Sequence, residues 1–343
     1  MNNFSEKSKW EDKIFQIRGE DFEPTALEVF QFQYAHNVLY RNYVDALGIS
    51  IREVTSLEKI PFLPISFFKS AKVATTEFKE EEIFESSGTT GTSTSRHYVK
   101  DLSLYRRSFL TAFHQFYGDP RDWRILALLP GYWERGHSSL IMMADELIRA
   151  STHPESGFYL NDWDALYRSL LHLEISRQPV LLLGVTFALL DFAEKHSMEL
   201  HNTTVMETGG MKGRREELTR EAVHHELKSR LGVSTVHSEY GMTELLSQAY
   251  SSEAGIFRCP PWMRILIREE NDPLSIRALP QGQKPLSGLI NIIDLANLYA
   301  CSFIATDDLG RLHANSQFEV MGRRDNSDIR GCSLLLTESY GNR

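Results

Sequence analysis

Between Arg124 and Tyr240 the chain alternates short apolar runs with amphipathic ones, and this alternation restricts the fold more than any other feature. RILALLP is followed by helical patterns near Leu140–Arg149 and from Asp162 to Ser176. PVLLLG leads into a helix capped by Thr186, TTVMETGG precedes a charged helix from Arg214 to Arg230, and STVHSEYG closes the series. Apolar runs with helices between them predict parallel strands covered by helices. After Arg258 the pattern changes. MRILIR, GLINIID, CSFIATDD and QFEVMG are short apolar runs separated by Pro, Gly and Asp, which predicts a β-rich part on the same body. Upstream, Leu27, Phe30, Tyr34 and Val38 form one stripe between Pro24 and Gly48, and residues 1–60 read as a helical cap. The expected organisation is that cap, a body over residues 61–321 that turns β-rich after about residue 258, and a short tail over 322–343.

At 343 residues and 42% hydrophobic content the chain can bury a large core. A net charge of −9 and no basic cluster argue against a nucleic-acid partner. The N-terminal MNNFSEKSKWEDK lacks an apolar signal core, and the longest apolar run, Val180–Leu190, is too short to span a bilayer, so a cytoplasmic protein is expected. Cys259, Cys301 and Cys332 are odd in number and lack metal-ligand spacing, which supports neither a disulfide framework nor a zinc site.

Ser86 to Ser95, SSGTTGTSTS, contains only Ser, Thr and Gly. Such a run adds nothing to a core but offers backbone N–H groups and hydroxyls to an anion, which is phosphate-binding chemistry. A flexible linker has the same composition. Ordered patterns on both sides favour the phosphate loop: IPFLPISFFKSAKVATTEF lies upstream, and downstream Asp101 is placed to cap a helix bearing Tyr105, Phe109, Phe113 and Phe116. No Gly-Lys-Ser/Thr follows Gly88, so this is not a Walker loop.

In an α/β sheet, ligands collect where strands end. Glu207-Thr208-Gly209-Gly210 ends one strand, and its glycines let a flat ligand approach the backbone. His237-Ser238-Glu239-Tyr240-Gly241-Met242-Thr243-Glu244 ends another and offers an aromatic ring, a hydroxyl and a carboxylate suited to Mg²⁺. The plainer alternative has Tyr240 packed in the core and Glu244 starting a helix.

Taken together, SSGTTGTSTS, TGG, EYGMTE, TDDLGR and GRRDNSDIRG occur in the order found in the adenylate-forming superfamily, which includes acyl-CoA synthetases, peptide-synthetase adenylation domains and firefly luciferase. The resemblance runs from about Ser86 onward. LPISFFKS, CPPWMR and the terminal RGCSL carry a narrower resemblance to the acyl-protein synthetases, which activate a fatty acid for reduction to aldehyde in bacterial bioluminescence. The implied fold is that family's large α/β body, parallel sheets layered with helices plus a β-rich subdomain. The implied reaction is ATP- and Mg²⁺-dependent formation of acyl-AMP, and the implied partner is an acyl reductase or acyltransferase. By the same resemblance Ser87, Gly88, Thr89, Thr90, Gly91 and Thr92 hold the β- and γ-phosphates, Gly209 and Gly210 flank the adenine, Tyr240 stacks on it, and Gly241 belongs to the nucleotide site. Thr243 meets the α-phosphate, Glu244 helps hold Mg²⁺, Asp308 binds the ribose hydroxyls, and Arg323 serves the same ribose or phosphate.

Two departures stand out. The family's Thr-Gly-Asp is Thr306-Asp307-Asp308 here, and the small C-terminal domain with its essential lysine does not follow before Arg343. Either another base, such as Lys212 beside the double glycine, partly replaces that lysine, or the chemistry differs. Near the end of the chain, Arg330-Gly331-Cys332 offers a bendable thiol, and the resemblance makes Cys332 the residue that receives the acyl group; a buried structural thiol is the alternative. Cys259 and Cys301 suit a structural role. His137, in GYWERGHSS, reads as a loop or capping residue, and Phe187–Phe192 as core. A phenylacetate-type acyl-CoA ligase and a non-catalytic scaffold that keeps the fold are the competing functions.

Overall fold

The structure, a computed structural model, describes residues 10–86, 94–130, 136–209, 218–277 and 284–324. In chain order its main elements begin with α1 (Phe22–His36), α2 (Val38–Ala46), β1 (Leu63–Pro64), α3 (Phe67–Ser70), β2 (Glu82–Glu85), β3 (Arg96–Val99) and α4 (Leu102–Tyr117). Then follow β4 (Arg124–Leu128), α5 (Ser139–Ser151), β5 (Gly157–Phe158), α6 (Trp163–Ile175), β6 (Val180–Val185), α7 (Thr186–Lys195), β7 (Thr203–Thr208), α8 (Arg220–Leu231), β8 (Val236–Tyr240) and β9 (Ala249–Ser251). The last are β10 (Met263–Arg268), β11 (Ile276–Arg277), β12 (Leu286–Asp294), β13 (Phe303–Leu312) and β14 (Phe318–Arg323).

The alternating region forms the parallel sheet that its pattern predicts, in the order β5-β4-β6-β7-β8, with β9 antiparallel on the β8 edge. Every residue of β6 is buried, and α7 buries Thr186 through Leu190, as expected of a strand and helix covered on both sides. Asp101 caps α4 by accepting from the Ser103 N–H, and Asp162 caps α6 by accepting from Ala165. Two boundaries differ from expectation. Thr186 is the first residue of α7 rather than its cap, because β6 runs into the helix without a loop; its hydroxyl donates to Glu207 instead, at 2.8 Å. The charged helix opens at Arg220 rather than Arg214, since the Thr219 side chain caps it.

The β-rich part is a second sheet, ordered β1-β13-β12-β10-β11, with β14 also on β13. Its pairings are antiparallel except one: β1, far upstream, joins β13 in parallel through Leu63↔Ile304 and Pro64↔Ala305. The division near residue 258 therefore does not bound this sheet. Arg268, 6% exposed, braces it from within by donating to the carbonyls of Ile290 and Thr306 and to the Asn291 side chain. Gly288 is required by close approach, since a Cβ there would lie 2.4 Å from the Arg268 carbonyl oxygen. Among the described residues no helix is long and apolar enough to cross a membrane.

One buried carboxylate ties several groups of the first sheet's side to the second. Asp294, the last residue of β12, accepts from the N–H groups of Leu246 (2.8 Å), Ser247 (3.0 Å) and Ala296 (3.2 Å) and from the Ser247 hydroxyl (2.6 Å). Leu246 and Ser247 belong to the segment that leaves β8. Asp294→Asn would replace one of the two accepting oxygens with an NH₂ donor and leave the donors on that side without an acceptor; we expect it to lower unfolding stability by about 2–4 kcal/mol, read from urea denaturation at neutral pH. A change below roughly 0.5 kcal/mol, the level of an ordinary surface substitution, would remove Asp294 from this role.

Candidate active site

β8 ends in Tyr240, whose ring meets Phe257 at 5.9 Å and Phe318 at 5.6 Å, both edge-on. It is 8% exposed, so the plainer expectation of a core-packed ring is correct as far as packing goes. Its hydroxyl, however, crosses to the second sheet and donates to Asp308 Oδ2 at 2.7 Å. Asp308 on β13 pairs in register with Arg323 on β14, and the guanidinium Nε lies 4.0 Å from Asp308 Oδ1. Strand pairing and sheet packing thus bring together three residues that are far apart in sequence. Burial raises the Asp308 carboxyl above its ordinary value, opposed by the Tyr240 hydrogen bond and the Arg323 charge. Asp307 does not have a positive φ and lies within β13, so a conformation reserved for glycine is not needed there.

Glu244 does not start a helix. It lies in a turn, 5% exposed, and burial raises its carboxyl against the opposing pull of Ser95 and Arg323. The backbone of this turn is held from outside: His97 Nδ1 donates to the Thr243 carbonyl at 2.8 Å, and Asn297 Nδ2 donates to the Glu244 carbonyl at 2.7 Å. The phosphate run lies between β2 and β3, which pair antiparallel up to Glu85↔Arg96; beyond them Ser86 N–H donates to the Ser95 carbonyl at 3.0 Å. Ser87, Gly88, Thr89, Thr90, Gly91 and Thr92 fall outside the described residues, as do Gly210, Lys212 and Cys332. Gly209, just past β7, has φ +86°, a conformation that favours glycine.

The sequence reading assigned no role to Glu239, which is fully inside this region. By strand alternation it faces away from Tyr240, and it is 8% exposed. The Thr208 hydroxyl at the end of β7 donates to it. A Cβ at Gly241 would lie 2.5 Å from Glu239 Oε1, so a larger residue there would displace the Glu239 carboxyl. Burial pushes the Glu239 carboxyl up to about 7, partly offset by Thr208 and reinforced by the charge of Glu207. Glu207 itself lies below its ordinary value: burial would raise it, but His224, Arg220, Ser238 and Thr186 outweigh that effect. An acidic residue alternating with Tyr240 on a strand otherwise buried was the available signal. His97, Asp294 and Asn297 carried none, because each acts through a contact distant in sequence.

Of the remaining candidates, His137 is an exposed loop residue with φ +49°, its Nδ1 2.8 Å from Glu82. Phe187 and Phe192 are buried in the core. Cys301 is buried and its thiol is pushed up to about 12, and burial also raises Cys259, so both suit structural roles.

The chain matches the family described as Acyl-protein synthetase, LuxE, over residues 15–341. It belongs to that family, and the narrower resemblance read from the sequence is correct. No curated protein matches it. Among solved structures it is similar to the luciferase-like enzyme from the nonluminescent Zophobas morio mealworm, at 15% identity and a TM-score of 0.46, over 74% of this chain and 60% of that one. It is also similar to a long-chain-fatty-acid-CoA ligase (FadD1) from Archaeoglobus fulgidus, at 13% identity and a TM-score of 0.48, over 70% of this chain and 51% of that one. A third is the O-succinylbenzoate Coenzyme A Synthetase (MenE) from Bacillus subtilis, in complex with AMP, at 18% identity and a TM-score of 0.46, over 73% of this chain and 64% of that one. The chain thus spans between 51% and 64% of the length of these three structures.

The raised Glu239 carboxyl has a consequence for stability. A carboxyl held above its ordinary value of about 4.3 favours the protonated form in the fold, so its contribution is complete below that value and is lost as pH rises through about 7. Glu239→Gln should flatten this part of the pH dependence. Urea midpoints at pH 5 and pH 8, compared between the wild type and Glu239→Gln, check it; parallel profiles would contradict the assignment.

Proposed function

We propose that this chain uses ATP to activate a carboxylic acid as an acyl adenylate and then passes the acyl group to a protein thiol. The observation that carries this reading is the 2.7 Å hydrogen bond between Tyr240 and Asp308, with Arg323 beside the same carboxylate and Glu244 within electrostatic reach of both. Membership of the acyl-protein synthetase family supports the acyl chemistry. Tyr240, Gly209, Gly210 and Gly241 are assigned to the adenine, Asp308 and Arg323 to the ribose, Thr243 to the α-phosphate, and the Ser87–Thr92 run to the outer phosphates. Lys212 is the candidate cation at the reacting centre.

Among the described residues no group of three or more His, Cys, Asp or Glu side chains is arranged to cage a metal. A Mg²⁺ ion bound through one carboxylate and the phosphates of its substrate needs no such cage. Glu244 fits that task, because a cation beside a buried carboxyl favours its ionised form. When bound, the ion offsets charge on the phosphates.

In the first half-reaction a carboxylate oxygen attacks the α-phosphorus and pyrophosphate leaves. Donors held in fixed positions stabilise the charge that develops. In the second, a thiolate attacks the acyl carbon and AMP departs, leaving a thioester. Cys332 is the proposed acceptor, since the thiols of Cys259 and Cys301 are held protonated by burial. A fatty acid is the favoured substrate and an acyl reductase or acyltransferase the favoured recipient.

Two variants separate the half-reactions. Glu244→Gln should fold and reduce acid-dependent ATP/pyrophosphate exchange by at least roughly tenfold, the scale of losing one charge-stabilising group; unchanged exchange would exclude Glu244 from the site. Cys332→Ser should preserve exchange and abolish hydroxylamine-sensitive labelling of the protein by radiolabelled fatty acid. Soluble acyl-CoA with no labelled protein, in the wild type supplied with coenzyme A, would favour the CoA ligase instead.

A further inference from the structure

His97, the second residue of β3, is 1% exposed. Its Nδ1 lies 2.8 Å from the Thr243 carbonyl, and its ring meets Phe68 edge-on at 5.9 Å. A carbonyl only accepts, so Nδ1 carries the proton. Burial pushes the imidazole down to about 4, against the opposing pull of the Thr243 carbonyl and Asn297, and the ring is neutral under ordinary conditions.

Three side chains share the task of holding one turn. His97 holds the Thr243 carbonyl, Asn297 holds the Glu244 carbonyl, and Asp294 holds the N–H groups of Leu246 and Ser247. Asp294 and Asn297 come from the second sheet's end of β12 and the turn after it, whereas His97 comes from the β2–β3 hairpin. A peptide plane held at its carbonyl cannot rotate without losing a buried hydrogen bond. The orientation of that plane determines where the Thr243 hydroxyl and the Glu244 carboxyl point.

From this geometry we infer that His97 is a positioning residue: as an Nδ1–H donor to the Thr243 carbonyl, it aims Thr243 and Glu244 at the phosphates of the bound nucleotide. The inference rests on the reading above that Thr243 and Glu244 face ATP. His97 acts through the Thr243 carbonyl, its hydrogen-bond partner. A misplacement of about 1 Å in such a site lowers rate by roughly a hundredfold, so a modest loss of aim is measurable.

The test uses amide geometry. The Asn amide nitrogen lies where imidazole Nδ1 does, whereas the longer Gln places its nitrogen near Nε2. Mg·ATP affinity by isothermal titration calorimetry, the kcat of ATP/pyrophosphate exchange and unfolding midpoints are compared for the wild type, His97→Leu, His97→Asn and His97→Gln in the full chain. His97→Leu and His97→Gln should lose about tenfold or more in affinity or kcat, while His97→Asn stays within about threefold of the wild type despite an unfolding midpoint lowered as much as theirs. If His97→Leu does not fold, the contrast between Asn and Gln decides. Equal values for Asn and Gln, or losses that simply follow the unfolding midpoints, overturn the positioning role while leaving the ATP reading intact. Failure of the wild type to bind Mg·ATP overturns that reading and this inference with it.

Discussion

The Asp294 carboxylate is the interaction on which the rest of the arrangement depends. Fully buried, and raised by burial to about 6, it has hydrogen bonds rather than a cation as its partners. Three of its four donors, the Leu246 and Ser247 N–H groups and the Ser247 hydroxyl, come from the segment leaving β8, and the fourth, the Ala296 N–H, comes from just beyond its own strand. Hydrogen bonds to a charged acceptor contribute about 1.5–3 kcal/mol each, which is the scale needed to offset burying a carboxylate without an ion pair. Trp262 extends the contact, donating to the Ser247 and Ser108 hydroxyls at 2.9 and 3.2 Å and so linking α4 to both sheets. The turn bearing Thr243 and Glu244 therefore belongs to the first sheet by connectivity and to the second by hydrogen bonding.

The electrostatics of the candidate site follow from that packing. Glu239, Glu244 and Asp308 are all raised by burial; Arg323 opposes this at Glu244 and Asp308, and Arg268 at Asp308. Phosphate charge beside the Glu244 and Asp308 carboxylates is unfavourable without a cation, which is the physical reason that the proposed reading needs Mg²⁺ at Glu244. Glu207 marks the contrast: equally buried, it remains ionised because Arg220 and His224 lie within 3.5 and 3.7 Å. Arg220 also donates to the Val320 carbonyl on β14 at 2.8 Å, a second tie between the parallel sheet and the strand that carries Arg323.

Much of the fold was legible before any coordinates. Apart from the two-residue β5, which lies between two helices where no strand was expected, the strands and helices from Arg124 to Tyr240 have the order and type that periodicity predicts, and the four runs after Arg258 became β10, β12, β13 and β14. The errors lie where a contact distant in sequence outweighs a local preference. Thr186 resembles a cap but bonds Glu207, β1 joins a sheet built mostly from the other end of the chain, and the charged helix opens at Arg220 because Thr219 caps it. Within the site, Tyr240, Asp308 and Arg323 were named from their motifs, whereas Glu239, His97, Asp294 and Asn297 were not.

That difference has one physical origin. Helix and strand periods, caps and turn glycines involve residues a few positions apart, so the amino-acid order alone determined the elements, their alternation and the motifs that relate the chain to its family. Which side chains meet across two sheets, and which carboxyls lose their water, depends on how those elements pack. The Tyr240–Asp308 bond, the anchoring of Thr243 by His97 and the raised carboxyl of Glu239 were decided only there, because hydrogen-bond partners and desolvation are properties of the assembled interior.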